Sequence, residues 1–142
     1  MSVLIGALAF AAEKHRNQRR KDIEASPYIN HPITLAKILS IEGGVDGGLV
    51  LSAAVLHDTI EDTETTYDEL AEQFGYGIAD VVREVTDNKS LLKVERKRLQ
   101  VEHAPHLSQA AKLVKLADKI ANLRDVADHP PSEWPLERAR IF

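Results

Sequence analysis

The chain of 142 residues contains no cysteine. That excludes a disulfide framework and any thiolate metal centre, and it sets a reducing, cytoplasmic environment as the expectation. Aromatic residues are few (three Phe, three Tyr, one Trp), and Gly and Pro are sparse at seven and six. With Leu, Ala, Val, Ile, Glu and Lys making up much of the rest, this is the composition of a helical globular protein. No apolar run approaches the ~20 residues that span a bilayer, so no membrane association is expected. The N-terminal run Val3–Ala12 is followed, not preceded, by Lys14, Arg16, Arg19, Arg20 and Lys21. A secretory signal has the opposite order, so this run reads as an amphipathic first helix. There is no Gly-rich phosphate loop, Walker-type Lys-Ser/Thr pair or Ser-His-Asp order. The net charge of −4 gives no general attraction to nucleic acid.

Charge of one sign is also missing locally. Residues 38–82 hold ten Asp or Glu and no Lys or Arg. Within that stretch lies Leu56-His-Asp-Thr-Ile-Glu-Asp62, closing the almost wholly apolar run Leu49–Leu56. On one helix His57, Asp58, Glu61 and Asp62 would fall within an arc of about 140°. Carboxylates and an imidazole on a buried helix end are costly unless a cation or strong hydrogen bonds compensate them. With no basic residue nearby, a divalent metal is the economical answer.

The rest of the chain reads as helices with short joints, an all-α fold with one domain over residues 1–142. The first helix is expected over Val3–Arg19, followed by a loop over Lys21–Asn30, where Ser26-Pro27 and the residue before Pro32 disfavour helix. A second helix has Pro32 in its first turn and ends at Gly43-Gly44. Asp46 is expected to cap a third helix through Asp62. Thr66-Tyr-Asp-Glu69 has capping-box form and opens a helix to Phe74, stopped by Gly75. Further helices are expected over Ile78–Thr86, over Lys89–His103, and from the Ser108 cap to Ala127 with Leu113, Val114, Leu116, Ala117, Ile120 and Leu123 apolar. His129-Pro-Pro-Ser breaks the chain before a last helix over Glu133–Phe142.

Four residues read as metal ligands: His31 at a helix start after a Pro-containing loop, His57 and Asp58 on the buried helix, and Asp118 in an apolar helix face. Two imidazoles and two carboxylates suit a first-row divalent ion with room for water. Glu61 and Asp62, about a turn beyond His57-Asp58, are placed to take a proton from an attacking water or return one to a leaving group. Negative charge at a helix C-terminus opposes the dipole, which favours this role over that of ordinary solvated acids. His15, between Lys14 and Arg16, reads first as a surface residue and second as one lining the substrate site, His103, His106 and His129 as solvated, and Trp134 as packing for the last helix.

Arg20-Lys21 with Pro27-Tyr-Ile-Asn-His-Pro32, Leu56-His-Asp-Thr-Ile-Glu-Asp-Thr63 and Val114-Lys-Leu-Ala-Asp-Lys-Ile-Ala-Asn-Leu-Arg124 together resemble the HD-domain hydrolases of the RelA/SpoT type. Phe74-Gly75, Val85-Thr-Asp87 and Glu95-Arg-Lys-Arg-Leu-Gln100 extend the likeness over nearly the whole chain. It is strongest to the hydrolase-only small alarmone hydrolases, including the metazoan SpoT-like enzymes. The resemblance implies a helical HD-domain bundle, a metal that is usually manganese, and cleavage of the 3′-pyrophosphate of guanosine tetra- or pentaphosphate. It assigns the metal to His31, His57, Asp58 and Asp118, and catalysis to Glu61 and Asp62. It also implies nucleotide contacts from Arg20 and Lys21, and from Asn122, which stands one helical turn from Asp118. Such relatives often carry Gly before the Pro-Tyr-Ile segment, where this chain has Ala25-Ser26, and they continue the helix at Phe142, which is expected to be cut short here.

Two other readings stay open. The same metal centre could act on another nucleotide phosphate, such as the 2′-phosphate of NADPH, to which SpoT-like metazoan relatives are linked. The chain could instead be a non-catalytic nucleotide-binding module, although binding alone would not need the Glu61-Asp62 pair. The partner expected in every case is a small-molecule nucleotide, and both a monomer and a homodimer are compatible with the sequence.

Overall fold

The computed structural model describes residues 1–21 and 24–128. The readings of His129, Trp134 and the helix Glu133–Phe142 lie outside these residues. Helix α3 (Gly48–Leu56) is the axis of the fold. It is apolar on every side, and Leu51, Ser52, Ala53, Ala54, Val55 and Leu56 are all buried, as an all-round apolar helix must be. Helices α1 (Ser2–Lys14), α2 (Asn30–Lys37), α6 (Tyr76–Val85) and α8 (Gln109–Asp128) pack around it. Fully buried Val55 and Leu56 each contribute about 1.5–3 kcal/mol by leaving water.

Small side chains set how closely the outer helices approach. α1 buries Ala7 and Ala11, four residues apart, and α8 buries Ala111, Val114, Ala117 and Ala121 along one stripe. The larger apolar residues Leu116 and Leu123, named among the apolar positions of this helix, are 58% and 53% exposed. The alanine stripe takes the inner side, and the leucines are left beyond it.

Between these helices, α2 runs on into a π turn over Ile38–Glu42. Helix α5 (Tyr67–Phe74) pairs with α6. Thr66 Oγ1 accepts the Glu69 N–H at 3.1 Å, the expected cap, and Gly75 at φ +92° closes α5 and opens α6 in one residue. Only glycine adopts that conformation without a Cβ penalty. Helix α7 (Lys93–His103) buries no residue and leads through a 3₁₀ turn (Ala104–His106) to α8, where Ser108 Oγ accepts the Ala111 N–H at 3.1 Å. Among the described residues there is no strand, only an isolated bridge between Arg19 and Pro27. No described helix is long and apolar enough to cross a membrane.

Several boundaries differ from expectation: α6 starts at Tyr76 and ends at Val85, where Ile78 and Thr86 were expected, and α7 starts at Lys93 and not at Lys89. α1 stops at Lys14, because Gln18 N–H bonds the His15 carbonyl at 2.9 Å and the chain turns back toward Pro27. α3 is capped by extended Gly47 and not by Asp46, since the glycine pair supplies the turn one residue later. The expected continuous helix to Asp62 is also broken, and the break shapes the site. His57 Nδ1–H donates to the Ala54 carbonyl at 2.8 Å and Thr59 Oγ1 to the Leu56 carbonyl at 2.7 Å. Side chains thus satisfy carbonyls that helical N–H groups would otherwise use. Asp58 sits outside helical geometry at φ −101°, ψ 2°, and a separate one-turn helix α4 (Thr59–Asp62) follows.

Candidate active site and metal centre

Four elements converge at the broken end of α3. α2 brings His31 in its first turn, the α3–α4 joint brings His57 and Asp58, α8 brings Asp118, and α4 carries Glu61 and Asp62. His31 Nε2 lies 2.8 Å from Asp118 Oδ1. His57 Nε2 lies 2.9 Å from Asp58 Oδ2 and 3.5 Å from Asp118 Oδ1, yet is aligned for a hydrogen bond with neither and is buried without a partner. One donor atom each from His31, His57 and Asp118 falls within 4.8 Å of the others. Because Nδ1–H of His57 is committed to Ala54, its Nε2 is the ligating nitrogen, as a metal-bound imidazole requires. An orphaned imidazole nitrogen facing two carboxylates fits a divalent metal in this cluster.

The electrostatics point the same way. Burial works against a charge on His57, but the Asp58 and Asp118 carboxylates outweigh it and push the imidazole well up from its ordinary value. Burial likewise opposes ionisation of Asp58 and Asp118, and the neighbouring imidazoles overcome it and hold both carboxyls low. The cluster attracts positive charge strongly, and a cation can take the place of the imidazole's proton.

Asp58 is steadied by a residue that the sequence reading missed. Tyr28 donates its phenol O–H to Asp58 Oδ2, and its ring lies 5.8 Å from that of His31 and 4.8 Å from that of His15. Burial, reinforced by the Asp58 carboxylate, pushes the phenol far above its usual range, so it stays a donor. The available signal was its place in Pro27-Tyr-Ile-Asn-His-Pro32, three residues from His31. His15, read as a surface residue, is only 2% exposed. It follows Ala7 and Ala11 at four-residue intervals, so it continues the buried stripe past the end of α1. Its flanking Lys14 and Arg16 pointed the other way.

Glu61 Oε1 accepts the Asp87 N–H at 2.9 Å, and burial, with some help from nearby acids, pushes its carboxyl up. Asp62 accepts on both oxygens, from Gln18 Nε2 at 3.3 Å and from the Lys89 ammonium. The expectation of no local cation is therefore corrected for Asp62: sequence neighbours supply none, but the loop after α6 brings in Lys89. A cavity of about 70 Å³ opens beside His57, Asp58, Glu61 and Asp118, with Lys115 and Lys119 also on its wall. Both lysines flank Asp118 in α8 and were visible in Lys115-Leu-Ala-Asp-Lys119. The residues read as nucleotide contacts divide. Arg20 pairs with Asp125 over the Tyr28 ring, Asn122 Nδ2 donates to Asp118 Oδ1 at 3.3 Å, and Lys21 is exposed. Ala25, in the loop before Tyr28, has φ +49°, the conformation for which glycine is usual.

A helical core with two histidines and two aspartates meeting at a broken helix is the architecture of a metal-dependent phosphohydrolase. The sequence profile of the HD domain family matches residues 7–140, and the chain belongs to that family. The guanosine-3′,5′-bis(diphosphate) 3′-pyrophosphohydrolase MESH1 of Xenopus tropicalis is 57% identical over 141 residues, 99% of this chain and 79% of that protein. The Homo sapiens protein of the same name is 58% identical over 139 residues, 98% of this chain and 78% of its own length. A solved structure of a metazoan ortholog of SpoT, which hydrolyzes ppGpp and plays a role in starvation responses, matches with a TM-score of 0.94 and 48% identity. The match covers 99% of this chain and 79% of that one.

Proposed function

We infer that this chain is a guanosine-3′,5′-bis(diphosphate) 3′-pyrophosphohydrolase, which uses water to split (p)ppGpp into GDP or GTP and pyrophosphate. The observation that carries the inference is identity of 57% across 99% of the chain to a protein of that name. The orphaned His57 Nε2 between two carboxylates supports it. His31, His57, Asp58 and Asp118 would hold one divalent ion, manganese being the ion suggested by the resemblance. When bound, that ion supplies Lewis acidity toward the phosphate oxygens and makes an attacking water more acidic.

This chain's own residues do the rest. Glu61 lines the cavity with its carboxyl pushed up by burial, which brings its proton exchange nearer neutral pH. With Asp62 beside it, Glu61 takes the proton of the attacking water as the new oxygen–phosphorus bond forms. The 3′-oxygen leaves with the electron pair of the broken P–O bond and is protonated in turn. Lys115 and Lys119 on the cavity wall meet the phosphates as charge-assisted donors, and the resemblance adds Arg20 and Lys21 to the nucleotide contacts. Asn122 steadies Asp118 and faces the nucleotide. The absence of cysteine supports a cytoplasmic setting.

The test is to incubate purified protein and Mn²⁺ with ppGpp and, separately, with NADPH, and to identify the products. Pyrophosphate and GDP from ppGpp are expected. Orthophosphate from NADPH with no turnover of ppGpp would overturn the substrate assignment, and inactivity on both would favour a binding module.

A further inference from the structure

We propose that His15 and Gln18 are positioning residues that aim the Asp62 carboxylate at the metal centre through a directed hydrogen-bond relay. The inference rests on the proposed role of Asp62 in hydrolysis. His15 Nδ1 lies 2.7 Å from Gln18 Oε1, and Gln18 Nε2 lies 3.3 Å from Asp62 Oδ2. The reverse orientation of the amide would set its oxygen against the carboxylate, so Asp62 fixes which end of Gln18 faces it. The amide oxygen cannot donate, so His15 Nδ1 must carry the hydrogen. That leaves His15 Nε2, buried without a partner, as a bare acceptor and not an orphaned N–H, the less costly of the two.

The relay is held at both ends. Gln18 is pinned by its backbone, with its N–H on the His15 carbonyl at 2.9 Å and its carbonyl taking the Tyr28 N–H at 3.0 Å. The His15 ring packs against Tyr28, whose phenol holds Asp58. One buried imidazole therefore braces a proposed ligand on one side and a proposed proton carrier on the other. Lys89 holds the second oxygen of Asp62 from an exposed loop position, 52% accessible. Gln18, fixed by its own backbone bonds, and Lys89 therefore each restrain one oxygen of the carboxylate.

The experiment uses the metal-loaded protein as Gln18→Leu, His15→Phe and the double variant. The changes keep side-chain bulk and the aromatic packing against Tyr28 while removing the polar atoms. Each single variant should lose about 10–100-fold in kcat on ppGpp, the scale for outer-shell partners, with KM nearly unchanged and metal content intact. The double variant should lose no more than either single one, because both break one relay. Full kcat in Gln18→Leu, or additive losses in the double variant, overturns the proposal. Gln18 is only partly buried, so its variant remains informative even if His15→Phe fails to fold. A readout independent of turnover is the ¹⁵N NMR tautomer of His15, expected as Nδ1–H and refuting the relay if Nε2–H. Failure of the wild type to release pyrophosphate would count against the substrate reading alone, and the tautomer would still decide the relay.

Discussion

Replacing Tyr28 with Phe removes a single oxygen from the site. The ring stays packed between His15 and His31, but Asp58 loses the O–H that fixes one of its oxygens. Two effects then compete. A carboxylate with one donor fewer is a more basic ligand, which would tighten metal binding. Its Oδ2, which already lies 2.9 Å from His57 Nε2, is also left free to rotate, which would take it off its aim. Orientation should win, because a hydrogen bond to a charged group is worth ~1.5–3 kcal/mol and lost outer-shell partners cost about 10–100-fold in affinity or activity. At about 1.4 kcal/mol for each tenfold, the two figures agree. Mn²⁺ titrated calorimetrically into metal-stripped Tyr28→Phe protein should therefore bind roughly 10–100-fold more weakly than to wild type. Equal or tighter binding would show that Tyr28 does not orient Asp58.

Three further expectations follow from the same geometry. Glu61→Gln should retain metal by elemental analysis and slow single-turnover hydrolysis roughly 10²–10⁴-fold, and Asp62→Asn should behave similarly; loss of metal along with activity would make the altered residue a ligand. Stripping the ion with chelator should abolish turnover and lower Tm, since an ion held only by the native state at 100 times its Kd adds about 2.7 kcal/mol; full activity in chelator would remove the metal from the mechanism. Lys21→Ala should raise KM more than it lowers kcat, whereas Arg20→Ala also frees Asp125 and should cost stability in a thermal melt; an unchanged KM in both would reduce the basic cluster to a solvated face.

The helical class was legible because apolar runs at helical spacing and capping residues such as Thr66 and Ser108 were local signals. The His31, His57-Asp58, Asp118 order was legible because charged groups in apolar surroundings demand compensation. What escaped were effects carried by space and not by sequence. The break at Asp58 arises from side-chain bonds of His57 and Thr59 to carbonyls, which periodicity does not encode. Lys89 meets Asp62 across 27 residues and Tyr28 meets Asp58 across 30. His15 was misread because its charged neighbours outweighed the Ala7–Ala11 spacing that leads to it. Leu116 and Leu123 look like core by hydropathy, but the close approach of an alanine stripe leaves them outside.

The proposed ligands come from α2, the α3–α4 joint and α8, and His31 meets Asp118 across 87 residues. A site assembled from such distant chain segments cannot exist in a partly folded molecule that lacks α8. The ion should therefore arrive after the rate-limiting step of folding, acting as a late lock and not as a nucleus. Stopped-flow chevrons with and without Mn²⁺ should share their refolding limb and separate on the unfolding limb, because stabilisation absent from the transition state slows unfolding alone. Metal supply would then set how long each folded molecule persists, and leave the speed at which it forms unchanged.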